Sequence, residues 1–104
     1  MLPGSSYLAL LQYQQAIQQS FRDVSDALIA YQKLHEFRAH REKLLAAARD
    51  ASQLSRVRYQ GGATSYLEVL TNETNYYSAE VGAAGALLRE RLALVQLYSA
   101  LGGG

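Results

Sequence analysis

The chain contains no cysteine and no tryptophan, and its 104 residues include one proline, Pro3. Without cysteine there is no disulfide, no zinc–thiolate centre and no thiol nucleophile. With the proline confined to the start, only scattered glycines oppose helix between Tyr7 and Leu101. That stretch is rich in Ala, Leu, Gln, Arg and Glu, a helix-forming composition. Lysine is scarce: Lys33 and Lys43 are the only two, and the net charge is +1. Such a balance lacks the basic excess of a nucleic-acid binder. No apolar run approaches the roughly 20 residues that span a bilayer, so this segment is expected not to cross a membrane. Met1 to Ser6 carries neither a basic nor an apolar leader region and reads as a linker rather than a signal peptide. The length suits one domain at most, and the chain reads as a fragment of a longer protein.

What is present is helical periodicity. From about Tyr7 to Tyr59, Ile17, Phe21, Val24, Leu28 and Tyr31 alternate steps of four and three, a heptad seam. Leu34, Phe37, Arg41, Leu44, Ala48 and Ala51 continue in a shifted frame, as a stammer would produce. A helix over 7–59 would be roughly 80 Å long. It needs partners along its length, since propensity alone does not hold such a helix. From Ser65 to Leu101 one stripe keeps strict alternation through Leu67, Leu70, Thr74, Tyr77, Val81, Ala84, Leu88, Arg91, Val95 and Tyr98. A second stripe beside it is interrupted by Glu73, Glu80 and Glu90. Two stripes mean two contact faces, one more than a two-helix hairpin uses. Between the segments lies a turn over 60–64. Gly61 and Gly62 suit a helix C-terminus, and Ser65-Tyr66-Leu67-Glu68 suits a capping box opening the next helix. The expected fold is therefore all-α: a long antiparallel, coiled-coil-like helical hairpin over 7–104. Gly82 and Gly85 fall inside the second helix, as tolerated glycines or as points of close approach.

Candidate chemistry is sparse. His35 and His40 are five apart and do not share a helix face, and no Glu-x-x-His or His-x-x-x-His pair exists. Neither a metal site nor a cofactor is expected. Gly61-Gly62 lacks the lysine and spacing of a phosphate loop. Asn72-Glu73-Thr74 matches a glycosylation sequon but lies on a helix. Arg56 and Arg58 place cations at the end of the first helix, where its dipole favours them. No catalytic constellation emerges, and an enzyme is not expected.

The stretch from Arg56 to Leu70, RVRYQGGATSYLEVL, resembles the tip of TolC-like outer-membrane efflux proteins. Gln12 to Gln15, Phe21 to Leu28 and the ending Leu97 to Gly104 support the resemblance, which spans about Tyr7 to the C-terminus. It implies an α-helical hairpin from the second repeat of a protomer, one part of a trimeric α-barrel tunnel. The full-length protein would sit in the outer membrane, with this segment in the periplasm. Gly61, Gly62 and Ala63 match the turn that docks a periplasmic adaptor protein, which links the channel to an inner-membrane transporter. Tyr59 matches a tip tyrosine of the closed-state contacts, and Thr64 stands where some members have an arginine of that network. Glu68 matches a pore-facing acid, and Thr71 stands where some members have a second one. The implied function is export of drugs or other small molecules through a passive conduit. The hairpin would self-associate, since its two apolar seams exceed what one hairpin covers. On the residues alone, a soluble coiled-coil scaffold or interaction module is the alternative. A ligand- or metal-binding bundle is a weaker third, for lack of ligand motifs.

Overall fold

The computed structural model describes residues 3–102. Two helices account for nearly all of them: α1, Pro3–Gln60, and α2, Tyr66–Gly102. They run antiparallel as a hairpin measuring 91 × 16 × 16 Å. α1 begins at Pro3, so positions 3–6, which read as linker, are helical; a proline fits a helix's first turn, where its missing N–H would go unpaired anyway. Met1, Leu2, Gly103 and Gly104 lie outside the described residues. Among the described residues no helix is long and apolar enough to cross a membrane.

The seam between the helices follows an unbroken heptad. On α1 the covered positions include Tyr31, Leu34, Arg38, Arg41, Leu45, Ala48, Ser52 and Ser55, steps of three and four without a stammer. The frame shift expected near Leu34 came from assigning Leu28 and Phe37 to the seam because they are apolar. Leu28 is exposed, and Ala27 beside it holds the covered position. In place of Phe37 the seam takes Arg38, which carries its charge to a partner on α2, while Phe37 flanks it. On α2 the seam runs through Val69, Tyr76, Ala79, Ala83, Ala86, Glu90, Ala93 and Leu97. Its buried apolar residues are Val69, Ala83, Ala86 and Ala93. Small side chains let the helices approach closely but remove little apolar surface from water, about 0.8 kcal/mol per methylene.

The stripe of strict alternation on α2 faces the other way. Leu67 is 71% exposed, Tyr77 69% and Tyr98 67%, with Val81, Leu88 and Val95 also exposed. The more apolar face of α2 is therefore the one α1 does not cover. α1 also outruns α2: the end of α2 at Ala100–Gly102 lies against Ile17, Ser20, Phe21 and Val24 across an open groove of about 410 Å³. Beyond that point Tyr7, Leu8, Leu10, Leu11 and Tyr13 of α1 are all exposed.

Candidate functional site

The turn at the closed end of the hairpin is built by backbone hydrogen bonds. The Gly62 N–H donates to the Tyr59 carbonyl at 3.0 Å and the Ala63 N–H to the Arg58 carbonyl at 2.8 Å. This nested pair is a Schellman motif, which satisfies carbonyls left free where α1 stops. It requires a left-handed residue at its centre, and Gly62 supplies it with φ of 77°. Ser65 then caps α2: its Oγ accepts the Glu68 N–H at 3.4 Å. Only this half of the expected capping box forms. The Glu68 carboxylate turns instead to Arg58, whose Nη1 lies 3.3 Å from Oε1.

Three contacts tie the two strands of the tip together. Arg58 pairs with Glu68, and Arg56 donates to Glu73. The Tyr59 and Tyr66 rings meet across the turn at 5.3 Å between centroids, tilted by 53°. Between them lies a small cleft of about 270 Å³ lined by Arg56, Tyr59, Gln60, Tyr66, Val69 and Glu73. Of the residues singled out from the sequence, Gly61, Gly62 and Ala63 form the exposed end of the molecule. Tyr59 contacts Tyr66 across the turn. Thr64 is half-buried in the turn, Glu68 is half-buried one turn into α2, and Thr71 is exposed.

A second polar cluster lies midway along the seam. Glu90 is only 5% exposed. Arg38 donates to Glu90 and also pairs with Glu42 at 2.9 Å. His35, stacked on Tyr31, brings Nδ1 to 3.4 Å from the same Glu90 oxygen. The Arg38 guanidinium hydrogen-bonded to Glu90 holds that carboxyl below its ordinary range, against the opposing effect of burial. The sequence pointed to neither Arg38 nor Arg58 as a partner of an acid. Their pairing depends on the antiparallel register; for Arg38 the signal was Glu90, one of the three acids that interrupt the second stripe of α2. Nearer the tip the Arg49 Nε–H donates to the Tyr76 hydroxyl at 3.3 Å. Among the described residues no cluster of side chains could hold a metal ion.

The hairpin thus has a tied tip, an ion-paired cluster in its seam and an apolar face that its own two helices leave uncovered. Residues 5–103 match the model of the outer membrane efflux protein family. The chain belongs to that family. Curated relatives include the cation efflux system protein CusC of Escherichia coli K12, 34% identical over 92% of this chain. Outer membrane protein OprJ of Pseudomonas aeruginosa is 31% identical over the same share. The toluene efflux pump outer membrane protein TtgC of Pseudomonas putida is 36% identical over 88% of the chain. The matched region is 21% of CusC, 20% of OprJ and 19% of TtgC, so the chain spans about a fifth of these relatives. No solved structure matches it significantly.

Proposed function

We propose that this chain is a wall segment of an outer-membrane efflux channel, the periplasmic helical hairpin of its second repeat. The observation that carries this reading is the apolar stripe of α2, turned away from α1 from Leu67 to Tyr98. A stave that shows one apolar face to its own partner helix and another to the outside fits a closed ring of such helices. The full-length protein would form a homotrimer in the outer membrane and act as a passive conduit rather than an enzyme. It would export drugs or other small molecules.

The turn at Gly61, Gly62 and Ala63 would be the docking point of a periplasmic adaptor, through which the channel meets an inner-membrane transporter. Tyr59 and Thr64 would take part in the closed-state contacts at the mouth. Glu68 and Thr71 would line its narrow end. Arg58 already sits on Glu68. A ring of these carboxylates would thus present ion pairs rather than bare acids, with weaker attraction for cations. The ties Arg56–Glu73, Arg58–Glu68 and Tyr59–Tyr66 all run within the hairpin. The tip would therefore move as one piece, and opening would break contacts between hairpins.

Ala63→Trp in the full-length protein tests the docking role, because Ala63 is exposed and does not have a positive φ. The channel should still assemble, but adaptor capture and drug efflux should fall at least about tenfold, the equivalent of roughly 1.4 kcal/mol. Unchanged capture and efflux would remove the turn from the docking surface.

A further inference from the structure

The geometry points to Arg41 and Arg89 as a paired anion contact that receives an acidic side chain from a neighbouring helix of the channel wall, an inference that rests on the proposed function. Both guanidinium groups stack on one ring, Phe37, with Arg41 Cζ 5.1 Å and Arg89 Cζ 5.6 Å from its centroid. The ring joins an arginine of α1 to one of α2. Arg38, Arg56 and Arg58 all reach carboxylates within the hairpin. Arg41 and Arg89 form no ion pair among the described residues.

Stacking on Phe37 attracts each cation by about 0.5–1 kcal/mol at an exposed site. Gathering two like charges around one ring works against that gain. An anion placed between them would relieve the repulsion, and guanidinium groups match a carboxylate in shape as well as charge. Gly82 bears on the position of Arg41. A Cβ there would meet Arg41 Nη1 at 3.3 Å, so the absence of a side chain lets the guanidinium lie closely across α2. Charge complementarity selects the occupant. The flank offers two donors and no acid, and the uncovered apolar stripe of α2 calls for helical neighbours. A helix packed alongside would bring its own Glu or Asp to this position.

The test uses the full-length protein in detergent and reads the midpoint temperature at which its oligomer dissociates. Sodium chloride is varied from about 0.05 to 0.5 M, which shortens the screening length from beyond 10 Å to a few ångströms. The wild-type midpoint should fall as salt rises. Arg41→Gln/Arg89→Gln should begin roughly 2 °C lower, because a small loss of stability moves the midpoint of a large protein less than that of a small domain, and should respond little to salt. Lys43→Gln, which removes an exposed cation of α1 that takes no part in the Phe37 stack, should behave as wild type. A double variant with the wild-type salt response would overturn the contact. So would a Lys43→Gln effect of equal size, which would reduce the finding to net charge. So would stabilisation of the wild type by inorganic phosphate at constant ionic strength together with an unaltered salt response in the double variant, the behaviour of a site for a free anion. Should the wild-type protein show no oligomer, the channel reading itself would fall, whereas an oligomer indifferent to the substitutions would remove only the arginine contact.

Discussion

Gly61 and Gly62 are neighbours in the turn, but only Gly62 needs to be glycine. At Gly62 a side chain would have open space yet would be forced into the left-handed region. That conformation costs an ordinary L-residue roughly 1–2 kcal/mol. At Gly61 the backbone is ordinary, and a Cβ would touch the Val57 carbonyl oxygen at 3.5 Å, a normal contact. Gly62→Ala should therefore lower the hairpin's thermal midpoint by several degrees. Gly61→Ala should leave it unchanged or raise stability by about 0.5 kcal/mol, by restricting the unfolded chain. Helix signal by circular dichroism at matched protein concentration reads both, and equal losses in the two variants would contradict the Schellman geometry. At this scale the sequence was partly transparent. The turn glycines and the Ser65 cap follow from local chemistry. Glu68 does not, because its choice of Arg58 over its own backbone depends on a residue ten positions away, reached only when α2 folds back.

At the scale of the helices, the two stripes of α2 were legible but their assignment was not. Hydrophobicity ranks the Leu67–Tyr98 stripe first, and in a self-sufficient hairpin it would face α1. The structure gives that place to Val69, Ala83, Ala86 and Ala93, with Glu90 among them. On the proposed reading the ranking fails because the hairpin is not the complete packing unit, and its most apolar face is kept for neighbours outside it. Glu90 makes the seam sensitive to acid. Its carboxyl is held below its ordinary range by the hydrogen bond from Arg38, so the charged form favours the folded state. That contribution is fully present above the unfolded pKa of about 4.3 and is lost as pH falls through the depressed folded value. A thermal midpoint measured from pH 7 down to about pH 3 should drop in the acid limb. Glu90→Gln should be less stable at pH 7 and should show a shallower drop, while Glu36→Gln, on an exposed position, should follow wild type. Parallel curves for Glu90→Gln and wild type would show that the buried pair does not govern the acid response.

For the whole molecule, shape and surface together decide how the chain behaves in solution. A body 91 Å long and 16 Å across has little interior, and among the described residues the buried apolar ones are one Val and three Ala. Ordering each residue costs about 1–2 kcal/mol of backbone entropy, and small seam side chains recover little of that. Leu67, Tyr77, Val81, Leu88, Val95 and Tyr98 meanwhile stay in water along α2. An apolar strip of that extent marks an interaction surface. The isolated chain should therefore associate, with sedimentation showing oligomers at micromolar concentrations and helix content rising as they form. Val81→Glu with Leu88→Glu should shift the equilibrium to monomer by at least about tenfold, since each charge would have to be desolvated at the interface. Both positions point away from α1, so the seam between the two helices would be untouched, and any helix lost would measure how far the hairpin depends on its neighbours. A wild-type chain that stays monomeric and fully helical at high concentration would mean that the seam suffices alone, and the apolar face of α2 would then need another explanation.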